Sequence, residues 1–143
     1  MKNQRVVLDT NILVAALRSR RGASHKLLLC LAEGAFIPCI SVPLFLEYED
    51  VLKRPGKVPG LAAKDIDDIL DFILSQSDIR QIFFLWRPFL KDPKDDLVLE
   101  VAVESRSQYI VTHNTKDFNN VSLFGLKAIT PRDFLEALKE DKS

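Results

Sequence analysis

The sequence predicts an α/β sandwich in which helices cover a mainly parallel sheet of about four to five strands. Short apolar runs, typical of strands that are buried on both faces, recur along the whole chain. Segments with the apolar spacing of amphipathic helices separate these runs. The chain has 143 residues without low-complexity segments or repeats, which predicts a single domain over 1–143.

The first half of the chain alternates strands, helices and turns. Its predicted elements are a strand at 5–8 (RVVL) ending at Asp9, a helix at 11–17, a break at 19–22 (SRRG), a helix at 24–33, a strand at 36–40 (FIPCI), a helix at 43–54 and a turn-rich loop at 54–60 (RPGKVPG). Ser24 is suited to cap the second helix, and Gly34 to end it. Pro43 suits the first turn of the third helix, whereas Pro38 predicts an edge strand or a strand start.

The second half continues the alternation. Its predicted elements are an amphipathic helix at 64–75 with apolar positions 66, 69, 70, 73 and 74, a strand at 79–85 (IRQIFFL), a helix at 92–105, strands at 109–112 (YIVT) and 126–130 (LKAIT), and a helix at 132–140 that Pro131 opens. In parallel sheets the functional crevice lies at the carboxyl ends of the strands. Asp9 and Thr112 each occupy such an end.

Composition limits the classes of function. The chain has 20 basic and 20 acidic residues, so no strong overall field would attract nucleic acid, and any such role must rest on local sites. Apolar runs are too short to span a bilayer, and the amino terminus lacks a signal-peptide pattern, which predicts a cytoplasmic protein. Cys30 and Cys39 lack zinc-site spacing and are expected to be reduced, buried thiols.

Asp9 is the first candidate for chemistry. A helix N-cap is its ordinary structural role, but Thr10 and Asn11 can also serve as caps. A carboxylate that ends an apolar strand is costly unless a cation or hydrogen bonds compensate it. From these residues alone, the structural and functional roles of Asp9 remain equally supported.

The helix at 43–54 offers three acids, of which Glu47 is the candidate. Glu49 has Lys53 four residues later and Asp50 has Arg54, and these are ordinary surface pairs. Glu47 has no such partner and lies beside the apolar face. It is therefore the acid expected to need an external cation.

The segment DPKDDL offers Asp92, Asp95 and Asp96. Asp92 followed by Pro93 is a helix start, and Asp95 at the third position can reach back to the cap. Asp96 has no such structural role, so it is the preferred metal ligand, with Asp95 and Asp92 as alternates. This choice stays open at the level of sequence.

Asp117 follows the strand YIVT in the segment THNTKDF, where a polar turn is the ordinary interpretation. Thr112 and Asn114 could orient a metal-bound water. Other chemistries find little support, since His25 and His113 lack a nucleophile and acid in a recognisable order and no glycine-rich phosphate loop exists. Carboxylates suit hard cations such as Mg²⁺ and Mn²⁺.

Four segments together resemble the PIN-domain family, in particular its prokaryotic VapC-like members, the toxins of toxin–antitoxin pairs. They are VVLDTNILVAAL, SVPLFLEYEDVL, DPKDDLVLEVAVES and YIVTHNTKDF, and the resemblance extends to ITPRDFLEAL. It implies an α/β/α sandwich and a ribonuclease that depends on Mg²⁺ or Mn²⁺. Carried over by motif, the catalytic and metal-binding acids are Asp9, Glu47, Asp96 and Asp117, and the crowded DPKDD segment keeps Asp95 and Asp92 as alternates.

The resemblance further implies an RNA substrate, a small antitoxin protein as partner and a homodimer or higher oligomer. Asn11, Thr112 and Asn114 would support the acids. Arg18, Arg20 and Arg21 follow the first helix and are candidates for RNA binding, although cations at a helix carboxyl end also have a structural role.

Two alternatives remain. A PIN scaffold of weak activity would serve as an RNA- or protein-binding module. A phosphatase of the haloacid-dehalogenase type would also place an aspartate at a strand end, but it needs a second acid where this chain has Asn11.

Overall fold

The computed structural model describes residues 4–82, 90–118 and 120–142. The elements in chain order are β1 (Gln4–Leu8), α1 (Thr10–Arg18), α2 (Ala23–Ala32), β2 (Phe36–Ile40), α3 (Val42–Leu52), α4 (Ala63–Gln76), β3 (Asp78–Ile79), α5 (Pro93–Glu104), β4 (Tyr109–Val111), two 3₁₀ helices (Thr115–Phe118 and Val121–Phe124), β5 (Lys127–Ile129) and α6 (Pro131–Lys142).

Within the described residues, the strands form one parallel sheet of five strands in the order β3-β2-β1-β4-β5. The predicted α/β class and parallel sheet are thereby confirmed. From the central strand β1 the chain first builds outward through β2 and β3, and then crosses to β4 and β5 on the other side. Right-handed crossovers in opposite directions place helices on both faces of the sheet. The order reverses between β1 and β4, so their carboxyl ends flank a crevice where ligands bind in such sheets.

Apolar side chains of the central strand form the middle of the core. Val6 and Val7 are fully buried, and Leu8 is 2% exposed. The last helix is anchored through Phe134, whose ring packs edge-on against Phe36 and Tyr109, with centroid distances of 5.2 and 5.6 Å. This packing connects α6 to both halves of the sheet.

Pro38 was expected at an edge or at a strand start, but it is the third residue of β2, which lies between β1 and β3. The pairing explains how the proline is tolerated. Pro38 pairs with Val6 of β1, whereas β3 pairs with β2 only from Cys39 onward. No residue of β3 therefore lies opposite Pro38. Because proline has no N–H, it cannot donate a hydrogen bond to a neighbouring strand, and on the β3 side no such bond is needed at this position.

Two other expectations need correction. The strand predicted at 79–85 is shorter and begins earlier, at Asp78–Ile79, and its part at 83–85 lies outside the described residues. The polar turn expected around Asp117 is a 3₁₀ helix, Thr115–Phe118. Short 3₁₀ turns carry no apolar period that a sequence pattern would reveal.

Cys39 is buried, as expected, whereas Cys30 is only half-buried, and neither forms a disulfide in the described structure. Among the described helices, none combines the length and the apolar character needed to cross a bilayer.

Candidate active site

Asp9 lies directly after β1 and is held by the end of β4. Its backbone N–H donates to the carbonyl of Val111 at 2.9 Å, and Thr112 Oγ1 donates to Asp9 Oδ2 at 2.9 Å. Asp9 occupies the N-cap position of α1, but its side chain makes no capping hydrogen bond. The carboxylate is thus oriented by the neighbouring strand and is not used as a cap.

Asp9 is largely buried. The residue is 9% exposed. Burial raises the pKa of the Asp9 carboxyl, while hydrogen bonds from Thr112 and the backbone of Thr10 oppose that rise. The hydroxyl of Tyr48 donates to the carbonyl of Leu8 at 2.5 Å and so fixes the strand end that carries Asp9. Burial also raises the pKa of Tyr48, which keeps this hydroxyl protonated as a donor.

Helix α5 separates the roles of its three acids. Asp92 is the N-cap, and its Oδ1 accepts from the N–H of Lys94 at 2.9 Å, as predicted. Asp96 is 1% exposed, and its Oδ1 accepts from the N–H of Leu90 at 3.0 Å. Asp95 is half-buried and lines the same cleft as Asp9.

This placement corrects the geometric basis for preferring Asp96. Successive residues of a helix point about 100° apart, so only one of two adjacent acids faces the cleft. Asp96 points inward and satisfies a backbone N–H that precedes the helix, which is a structural role that no sequence pattern shows. Asp95 faces Asp9 and Asp117 instead, and among the described residues its carboxylate accepts no hydrogen bond.

The pKa of Asp95 reflects the burial of its carboxyl first and the neighbouring acids second. Burial, followed by the charges of Asp9, Asp92, Asp117 and Asp96, raises the pKa of this carboxyl to about 7. Both causes disfavour the negative form of this carboxyl, and a cation bound beside it would favour that form.

Asp117 reaches the cleft from the 3₁₀ helix that follows β4. Thr112 organises this turn as well, because its Oγ1 accepts from the N–H of Asn114 at 3.1 Å. The N–H of Asp117 in turn donates to the carbonyl of Asn114 at 3.0 Å. Thr112 therefore positions both Asp9 and the segment that presents Asp117.

Glu47 enters the cleft from α3. Its side chain is 10% exposed, and Lys94 Nζ lies 3.9 Å from its Oε1. The sequence had suggested that Glu47 lacks a partner within its helix, and the cation in fact comes from α5. The pairs predicted for the other two acids are present, with Lys53–Glu49 at 3.3 Å and Arg54–Asp50 at 2.7 Å.

Five of the six expected acids, counting the alternates, and both supporting asparagines meet at one cleft of about 240 Å³. Its charged and amide-bearing lining residues are Asp9, Asn11, Glu47, Arg54, Lys57, Asp92, Lys94, Asp95, Asn114 and Asp117. Asp96 is not among the lining residues. Thr112 lies just behind the cleft wall, fully buried.

Sequence reasoning missed three cations of this cleft, Arg54, Lys57 and Lys94. A signal was present, because the turn RPGK follows directly after the helix of Glu47, and Lys94 lies between two of the acids. In the structure the turn after α3 passes through Gly56, whose φ of 75° suits glycine, and this brings Lys57 to the cleft.

The donor set fits a divalent cation in kind. Carboxylate and amide oxygens are the ligands that Mg²⁺ and Mn²⁺ prefer. Among the described residues, however, no three acidic, histidine or cysteine side chains stand close enough to hold an ion as they are. Binding would therefore require side-chain rotations that bring Asp9, Asp95 and Asp117 closer together.

The predicted RNA-binding arginines lie outside the cleft. Arg18, Arg20 and Arg21 are all exposed, at the end of α1 and in the turn that follows it. The histidines form no triad in the described structure. His25 Nδ1 lies 3.1 Å from the carbonyl of Ala16, and His113 Nε2 lies 3.4 Å from Ser24 Oγ.

Comparison with known proteins agrees with this architecture. A family model described as "PIN domain" matches residues 5–116. A solved structure of VapBC2 from Rickettsia felis, bound to a DNA fragment from its promoter, contains a similar chain with a TM-score of 0.60. The two chains are 20% identical, and the match covers 89% of this chain and 98% of the other. No curated protein matches.

Proposed function

Since this chain belongs to the PIN domain family, we propose that it is a ribonuclease that hydrolyses phosphodiester bonds with the help of Mg²⁺ or Mn²⁺. The observation that carries the proposal is the convergence of Asp9, Glu47, Asp95 and Asp117 on one cleft. These acids come from four different elements, so only the fold brings them together. Burial, followed by repulsion from the other acids, raises the pKa of Asp95, and a bound cation would offset both effects.

In this proposal Asp9, Asp95 and Asp117 hold the cation, with Asp92 at the rim. Asp96 acts indirectly, by fixing the backbone ahead of α5 through its bond with Leu90. A bound divalent ion would lower the pKa of a water molecule and neutralise charge on the phosphate.

The remaining side chains act on water and on phosphate. Glu47 would accept the proton of the attacking water at a carboxylate oxygen, and Asn11 and Asn114 would orient that water. Arg54, Lys57 and Lys94 would contact the non-bridging oxygens of the scissile phosphate. The cleft thus combines acids that hold a cation with cations that hold an anion.

Cleavage of single-stranded and structured RNA should be measured with Mn²⁺, with Mg²⁺ and with EDTA. We expect cleavage only with metal, and we expect Asp9→Asn to abolish it. Glu47→Gln removes the proposed proton acceptor and should also reduce cleavage. Its matched control is Glu49→Gln, which should leave cleavage unchanged, because Glu49 lies on the same helix but pairs on the surface with Lys53. Metal-independent cleavage, or full activity of Asp9→Asn, would refute the proposal.

The pair Asp95→Asn and Asp96→Asn decides which acid binds the cation. Asp96→Asn keeps an oxygen that can accept the hydrogen bond from the N–H of Leu90. Its activity should therefore fall by no more than roughly 10–100-fold, the loss typical when a residue that orients a metal ligand is replaced. Asp95→Asn should reduce activity further, and it should lower the affinity for Mn²⁺ measured by calorimetry. The opposite order would return the ligand role to Asp96.

We also propose that this chain is the toxin of a toxin–antitoxin pair, with a small antitoxin as partner and a homodimer or higher oligomer as its assembly. The similar solved structure is a VapBC2 complex, and this likeness supports the proposal. Expression of the chain alone should arrest growth in an Asp9-dependent way, and co-expression of a small neighbouring gene should relieve the arrest. Unimpaired growth would refute the toxin assignment and leave the nuclease proposal intact.

A further inference from the structure

A second cavity, also of about 240 Å³, lies next to the carboxylate cleft along α1. Asn11 lines the cleft, and Ala15, one turn later, lines the second cavity. The polar side chains that line this second cavity are Ser19, Ser24, His113, Thr130 and Arg132. None of the lining residues that the structure describes is acidic.

The cations around this cavity are not paired. Residues 10–32 contain three arginines and a lysine but no acid. In the described part of the chain, these four residues and Arg132 are exposed and form no ion pair; they are Arg18, Arg20, Arg21, Lys26 and Arg132. Elsewhere, by contrast, Arg5, Arg54 and Arg80 are each paired with an aspartate. Even when Asp133 and Glu136 at the start of α6 are counted, cations outnumber acids in this region, although the whole chain has no net charge.

Helix α1 connects this region to the cleft. Asn11, Ala15 and Arg18 follow one another at spacings of four and three residues, so they share one face of the helix. Seven residues of α-helix span about 10 Å. Asn11 and Arg18 are both exposed, which makes this face an open path from the acids to the arginines.

His113 is fixed between the two sites. It lies between Thr112, which binds Asp9, and Asn114, which lines the cleft. Its ring reaches the other way, to Ser24 near the start of α2, at 3.4 Å. The amino ends of α2 and α6 both lie at this cavity, which adds two positive helix ends to the cationic side chains.

We propose that this path along α1, defined by Asn11, Ala15, His113, Ser24, Arg18 and Arg132 and called here the α1 track, binds the sugar–phosphate backbone of the RNA strand beside the bond that is cut. The proposal rests on the proposed ribonuclease function. The ligand class is a polyanion whose phosphates contact Arg18, Arg132 and His113 while the scissile phosphate lies in the cleft. Backbone contacts of this kind position a strand without specifying its sequence.

The test measures RNA binding apart from cleavage. The affinity for a fluorescein-labelled single-stranded RNA is determined by anisotropy in EDTA at several salt concentrations, for the full chain and for Arg18→Gln, Arg132→Gln and the double variant. Each lost phosphate contact should flatten the slope of log affinity against log salt by about 0.7, so the double variant should lose about 1.4. In cleavage assays with Mn²⁺, KM should rise severalfold while kcat changes less than about twofold, as expected for uniform binding.

Arg106→Gln is the matched control, because Arg106 is also exposed but lies before β4, at the opposite end of the sheet from Asp9. It should leave both the salt slope and KM unchanged. The α1 track is refuted if the double variant shows the same slope of log affinity against log salt as the unmodified chain. It is also refuted if the unmodified chain does not bind RNA. If binding depends on Arg18 and Arg132 but no cleavage occurs, the ribonuclease proposal fails and the track stands.

Discussion

The burial of Asp95 among other acids predicts that this residue destabilises the metal-free protein. Replacing it with Asn keeps the size of the side chain and removes one negative charge. The carboxyl of Asp95 has a pKa of about 7 in the folded protein, against 3.8 in the unfolded chain. A raised acid pKa means that the folded state resists ionisation, so stability is full below pH 3.8 and is lost as the pH rises toward 7.

The size of the effect follows from the same pKa values. A change from 3.8 to about 7 corresponds to about 4 kcal/mol if it is fully expressed. Asp95 is only half-buried, so solvent and salt screen the repulsion, and we expect about 1–2 kcal/mol. For a chain of this length this corresponds to a rise in Tm of roughly 3–6 °C for Asp95→Asn at pH 8.

The assay is thermal unfolding in EDTA from pH 4 to pH 8.5, followed by circular dichroism. Asp95→Asn and the unmodified chain should have similar Tm values near pH 4. Between pH 4 and pH 7 the Tm of the variant should become increasingly higher than that of the unmodified chain, and the difference should persist above pH 7. Asp71→Asn, which removes an exposed acid of α4, is the control and should show no such trend. In excess Mn²⁺ the order should reverse, because the unmodified chain binds the ion more tightly. Equal stability at pH 8, or an advantage that does not depend on pH, would refute the reasoning about crowded carboxylates.

Three further predictions follow from individual contacts. Thr112→Val removes the hydroxyl that contacts Asp9 and the N–H of Asn114, so kcat should fall about 10–100-fold. Thr112→Ser keeps a hydroxyl and should retain most activity. Equal effects of the two variants would contradict this role of Thr112. Lys94→Gln should raise KM for RNA severalfold with intact folding, because Lys94 lines the cleft beside Glu47, and an unchanged KM would exclude a phosphate contact. Phe134→Ala should lower the free energy of unfolding by about 3–5 kcal/mol in urea denaturation, since the ring is fully buried between Phe36 and Tyr109; a loss below about 1 kcal/mol would show that α6 contributes little.

The parts of the fold that the sequence predicted are those with strong local patterns. The strands around Val6, Phe36 and Ile110 are apolar runs, and helix α4 has a clear apolar period, so their positions agree with the structure. Strand β3 consists of two residues, Asp78–Ile79, and its pairing depends on β2. No local pattern predicts an element that short.

The site was harder to predict than the fold because two adjacent acids differ only in direction. Asp96 was preferred because no structural role for it was visible in the sequence. Its partner is the N–H of Leu90, which comes close only through the path of the chain ahead of α5. The cleft-facing direction of Asp95 likewise depends on how α5 packs against β1 and β4. Residue spacing fixes the angle between the two carboxylates, and tertiary packing decides which one meets Asp9.

The net charge of zero argued against a nucleic-acid partner only if the charges were evenly mixed. They are separated: α4 alone carries Asp65, Asp67, Asp68 and Asp71, whereas the segment 10–32 carries only cations. The Debye length at physiological salt is about 8 Å, so an RNA strand at α1 responds to the charges of α1 and its neighbours and not to the total. Acids concentrated in the cleft repel phosphate until a cation is bound. A strand held along α1 would thus approach the cleft by its cationic side, and productive binding of RNA at the acids would depend on the metal.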